Sequence, residues 1–104
     1  MAPPDPNEQV KTRPGQKTKI DPPKKYRVLL LNDDYTTFDF VVKVLVNIFR
    51  KSVPEAVRIT NDVHKKGSGT CGIYPYDIAE TKVELVNRAG KEAGFPLRCE
   101  MEEA

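Results

Sequence analysis

A chain of 104 residues with 38 % hydrophobic and 31 % charged side chains has room for one compact domain, and its formal net charge is only +2. The six bases and three acids of residues 1–25 leave 11 bases and 12 acids in the remainder, so the globular part is close to neutral and offers no electrostatic footprint for nucleic acid. The two cysteines, Cys71 and Cys99, have no CxxC spacing, which argues against a zinc ribbon or a disulfide-rich secreted scaffold and makes a reduced, cytoplasmic setting the default. The N-terminus lacks an apolar h-region, and no stretch approaches the roughly 20 apolar residues that span a bilayer, so neither export nor membrane insertion is expected.

Six of the nine prolines precede residue 24, in a segment whose apolar content is little more than Val10 and Ile20. Such a segment cannot bury enough surface to offset its ordering entropy, and residues 1–23 read as a disordered arm ahead of a domain over 24–104.

Within the domain, Tyr26 to Leu31 is a short apolar run bounded by Lys24-Lys25 and Asn32-Asp33-Asp34, the pattern of a buried strand. Thr36 is placed to cap a helix that has Asp39 in its first turn, with Phe38, Val41, Val42, Leu45, Ile48 and Phe49 on one face, running to about Lys51. Ser52 and Glu55 form a capping box for a second helix carrying Ala56, Ile59 and Val63, ended by Lys65-Lys66-Gly67. Gly69 to Tyr74 reads as a strand with Cys71 and Ile73 on one side, stopped by Pro75. Asp77 to about Ala93 carries Ile78, Val83, Leu85, Val86 and Ala89 and predicts a third helix, with Gly94 as its stop. In the last segment Leu97, Cys99 and Met101 alternate with Arg98, Glu100 and Glu102, which marks a half-buried strand. The order β-α-α-β-α-β predicts an α+β fold in which a three-stranded antiparallel sheet packs against three helices.

Chemistry-bearing residues are few. His64 is the sole histidine, and a lone histidine is more often a surface or capping residue than a functional one. A Cys-His nucleophile and base pair is disfavoured because both thiols fall on apolar strand faces, and no metal-ligand spacing joins His64 to the cysteines. No catalytic residue, metal or cofactor is therefore expected. Asn32-Asp33-Asp34 serves equally as a turn and helix cap.

Taken together, VLLLNDDYTTFDF at 28–40, Val63-His64, GTCGIY at 69–74, AETKV at 79–83 and FPLRC at 95–99 strongly resemble the ClpS family, the N-degron (N-end rule) adaptors of the Clp AAA+ protease. The resemblance covers about residues 25–104. It implies a non-enzymatic adaptor that binds the free α-amino group and bulky hydrophobic first side chain of a substrate and delivers it to a ClpA- or ClpC-type unfoldase. Asn32, Asp33, Asp34 and His64 match the family's α-amino site, and the α-ammonium, with three donors, needs such acceptors. Thr36, Phe38, Val41, Thr60, Val63 and Leu97 match the walls of its hydrophobic pocket. Phe38 stands where the family often has a methionine that screens against β-branched side chains, and Thr60 where a larger apolar residue is common. Glu80, Thr81 and Lys82 match the surface that docks on the ATPase, and the arm would assist delivery. A monomer without nucleic-acid or membrane partners is expected. The alternative from the same resemblance is a regulator that docks on the ATPase and alters its substrate choice without binding N-degrons.

Overall fold

The computed structural model describes residues 22–104; the predicted arm falls outside them except for Pro22 and Pro23. The elements are β1 (Lys25–Leu31), α1 (Phe38–Asn47), α2 (Val53–Lys66), β2 (Ser68–Pro75), α3 (Tyr76–Ala93) and β3 (Arg98–Glu103). The sheet is antiparallel with order β2-β1-β3, so the first strand is central, as its apolar content demands. Val28 and Leu30 of β1 are fully buried and meet Leu45, Ile59, Ala79 and Val86 from the three helices. The predicted β-α-α-β-α-β architecture is the one observed.

Four local details depart from the sequence reading. The α1 cap is Thr37, whose Oγ1 accepts from the Phe40 N–H at 3.2 Å, because Thr36 is drawn into the preceding turn. That helix ends at Asn47 rather than near Lys51: Arg50 takes a left-handed φ of 57°, and the Lys51 N–H turns back to the Leu45 carbonyl at 3.0 Å. In β2 the register slips between Val28 and Leu29, which leaves Cys71 as an extra residue, a β-bulge. Cys71 is therefore fully buried while Ile73 pairs with Arg27 on the outer face and is 49 % exposed, so the two do not share a side. Finally, α3 begins at Tyr76 with no side-chain cap, and its buried stripe is Ala79, Val86 and Gly90, leaving Ile78 and Leu85 largely exposed.

Two side chains of α3 fasten the layers. Asn87 donates to the Cys99 carbonyl at 3.3 Å and accepts from the Cys99 N–H at 2.9 Å, satisfying backbone groups of the β3 edge that β1 does not reach. Lys82 Nζ donates to the Ile48 carbonyl at 2.7 Å, lying 5.8 Å from the Phe49 ring centre and 5.7 Å from that of Tyr74. The last turn of α1 has no basic residue of its own, so Lys82 supplies a cation to its negative end across the tertiary interface. Lys82→Met, which keeps the aliphatic stem, is expected to cost about 1–2 kcal/mol in urea denaturation; an unchanged midpoint would show that the contact contributes nothing.

Candidate functional site

The chain leaves β1 at Leu31 and must turn before α1, and Asp33 organises that turn. Its Oδ1 accepts from the N–H groups of Tyr35 at 2.8 Å and Thr36 at 2.7 Å, and its Oδ2 accepts from Thr36 Oγ1 at 2.7 Å. Burial alone would raise the carboxyl pKa, but the hydrogen bonds from the Thr36 hydroxyl and from the Thr36 and Tyr35 amides prevail and hold it below the usual carboxylate range. A depressed folded value means that this turn contributes its stability above the ordinary carboxylate pKa and loses it as pH falls through the folded one. Asp33 is thus an architect of the turn, with both oxygens engaged, and the neighbouring Asp34 is exposed.

On the facing side, α2 presents its C-terminal half. Ser52 Oγ accepts from the Glu55 N–H at 3.3 Å at its start, and Gly67, with φ 92°, closes it by donating its N–H to the Val63 carbonyl at 3.0 Å. Thr60 and Val63 turn into the core and are 3 % and 4 % exposed, while His64, one residue on, is exposed. Thr60 Oγ1 donates to the Ala56 carbonyl at 2.7 Å, so its hydroxyl hydrogen is satisfied within the helix and places no unpartnered donor in the space beside it. The Asn32 N–H donates to the Gly67 carbonyl at 2.9 Å, joining the β1 exit to the end of α2.

Between these walls lies a cavity of about 360 Å3 lined by Asn32, Asp33, Asp34, Thr36, Phe38, Val41, Thr60, Val63 and His64. Its floor is Val41, Thr60 and Val63, all buried; its mouth carries the exposed Asn32, Asp34 and His64, with Phe38, the first residue of α1 and 42 % exposed, at the rim. Nine of the ten residues matched from sequence thus surround one space. Leu97 does not: it is buried just before β3, its Cβ 3.2 Å from where a Cβ on Gly90 would stand, and so packs against α3. Its place among the pocket walls rests on the family match alone, since periodicity by itself reads Leu97 as a core residue. Of the other three matched residues, Glu80 and Thr81 are exposed on α3, whereas the ammonium of Lys82 is directed to Ile48. The turn read from Asn32-Asp33-Asp34 is built by Asp33, with the Asp-x-x-Thr spacing as its local signal, whereas the tertiary role of Lys82 is absent from the sequence reading.

The thiols stand apart from the cavity. Burial pushes Cys71 far above the ordinary thiol value and Cys99 up to about 12, the reverse of what a nucleophilic cysteine requires. Among the described residues no cluster of three or more His, Cys, Asp and Glu could hold a metal, and no helix is long and apolar enough to cross a membrane.

Comparison with known proteins adds a family to this geometry. The family model described as "ATP-dependent Clp protease adaptor protein ClpS" matches residues 21–100. The ATP-dependent Clp protease adapter protein ClpS of Desulfatibacillum aliphaticivorans is 52 % identical over 102 residues, covering 95 % of this chain and 96 % of that protein. That of Wolinella succinogenes is 56 % identical over 81 residues, covering 78 % and 79 %. Among solved structures, Agrobacterium tumefaciens ClpS2 bound to L-phenylalaninamide is similar with a TM-score of 0.78 at 44 % identity, covering 80 % of this chain and all of that one.

Proposed function

From the membership of this chain in the ClpS family of Clp protease adaptors, we propose that its cavity receives the first residue of a protein substrate. The observation that carries this reading is the division of the cavity into an apolar floor of Val41, Thr60 and Val63 and a mouth of acceptors from Asn32, Asp34 and His64. An N-terminal residue has the complementary division: an ammonium with three donors next to a side chain that can be apolar. A bulky first side chain such as Phe, Tyr, Trp or Leu enters the floor, and burial of a large one stabilises the complex by about 1.5–3 kcal/mol. Phe38 at the rim narrows the entrance, while the small Thr60 leaves depth for a ring. The phenylalaninamide held by the Agrobacterium protein, an amino acid derivative with a free amine and a benzyl side chain, is a ligand of this chemistry.

The α-amine contributes only while charged. Its pKa in a peptide is about 7.7–8.0, so calorimetric titration of a Phe-initiated peptide should give full affinity near pH 7 and a loss approaching tenfold per pH unit well above 8. Affinity independent of pH between 7 and 10 would contradict ammonium recognition.

Bound substrates are then delivered to an AAA+ unfoldase of the ClpA or ClpC type, with the exposed Glu80 and Thr81 of α3 as the docking face and Lys82 holding that face against α1. The protein acts as an adaptor without catalysis of its own, as a monomer in the cytoplasm, and its N-terminal arm takes part in delivery.

A further inference from the structure

Asn32 and His64, both exposed at the cavity mouth, belong to segments 32 residues apart in sequence, yet joint recognition of an α-amine requires a fixed distance between them. One glycine joins those segments. The Gly67 N–H donates to the Val63 carbonyl at 3.0 Å, and its own carbonyl accepts from the Asn32 N–H at 2.9 Å, one step beyond the last β1–β2 pair, Leu31 with Ser68. The second bond depends on φ 92° and ψ −17° at Gly67, which aim its carbonyl at Asn32, and this left-handed conformation is one that L side chains adopt only with strain. A Cβ added to Gly67 meets nothing within 4 Å. An alanine methyl there would make no contact, so the effect of Gly67→Ala travels through the backbone alone.

We infer that Gly67 is a positioning residue for α-amino recognition: its left-handed peptide units set the separation of Asn32 from His64, so that strain at this turn weakens capture of a free N-terminus. The inference rests on the proposed reading of the cavity. It concerns the mouth and not the floor, since Val41 lies on α1 and Thr60 and Val63 lie within α2, ahead of the Gly67 φ and ψ that direct the chain toward Asn32.

The test compares wild type, Gly67→Ala and Gly67→Asn for binding of Phe- and Leu-initiated peptides with free α-amines, alongside hydrogen exchange of the Asn32 amide. Asparagine tolerates the left-handed region better than alanine. Gly67→Ala should weaken both peptides about five- to tenfold, leave the Phe-to-Leu affinity ratio within about twofold, and speed Asn32 exchange relative to the core amides, with Gly67→Asn restoring most of each. A merely structural glycine would lower the melting temperature of Gly67→Ala while both affinities stayed at the wild-type value, and that result overturns the inference. A change in the Phe-to-Leu ratio would also overturn it, by placing the effect in the floor. Wild type without affinity for either peptide would instead sink the reading of the cavity, and this inference with it.

Discussion

Acetylating the α-amine of a Phe-initiated peptide is expected to lower its affinity at least about a hundredfold. Three effects act in the same direction. The acetyl group removes the positive charge opposite the exposed Asp34, and two of the three ammonium donors that Asn32 and His64 would accept. Each hydrogen bond to a charged group contributes about 1.5–3 kcal/mol. The acetyl group also adds three heavy atoms at the mouth of a cavity of about 360 Å3 whose rim is already occupied by Phe38. Since 1.4 kcal/mol is a factor of ten, loss of the two donors suffices for about a hundredfold change. Competition against a labelled free peptide measures it. An acetylated peptide within threefold of the free one would mean that the cavity reads an apolar side chain and not a terminus.

Leu45→Ala is expected to cost about 2–5 kcal/mol of folding stability. Leu45 is fully buried on α1, in the cluster that includes Val28, Leu30 and Phe49. Truncation removes its transfer free energy and leaves a void that close-packed β-branched and aromatic neighbours fill poorly. A domain of this size is stable by only about 5–15 kcal/mol, so the loss is a large part of the total. Urea denaturation should show a lower midpoint with an unchanged slope. Leu45 does not line the cavity, so under conditions where the variant remains folded its peptide affinity should hold. A cost below about 1 kcal/mol would show that α1 is not held as described.

The core and the cavity differ in how much of each the sequence disclosed. Leu45, Val28 and Val86 announce themselves by periodicity, because burial of one face is a local pattern, and element order and sheet composition follow from such residues. The bulge at Cys71 carries no comparable signal: it depends on how β2 pairs with β1, and it sends Ile73 to the outer face against the alternation that its own strand suggests. Lys82 is similarly opaque, because the Ile48 carbonyl it serves lies 34 residues away. At the cavity, Asn32, Asp34 and His64 came from the motifs that resemble the family, not from spacing; His64 alone reads as an ordinary helix-end histidine. Thr36 and Thr37 differ by one position, and the hydroxyl that caps α1 is decided by Asp33 having already taken the other. Pattern finds the layers, while pairing and capture of single hydrogen bonds decide the rest.

The most direct test of N-terminal recognition is fluorescence anisotropy of labelled peptides that begin with a free Phe or Gly and are otherwise identical, titrated with wild type and with His64→Ala. The account predicts saturable binding of the Phe peptide, at least about tenfold weaker binding of the Gly peptide that leaves the floor unfilled, and about tenfold weaker binding of the Phe peptide by His64→Ala. Equal affinity for Phe and Gly peptides, or no binding of either, would contradict it and leave direct regulation of the Clp ATPase as the activity of this adaptor.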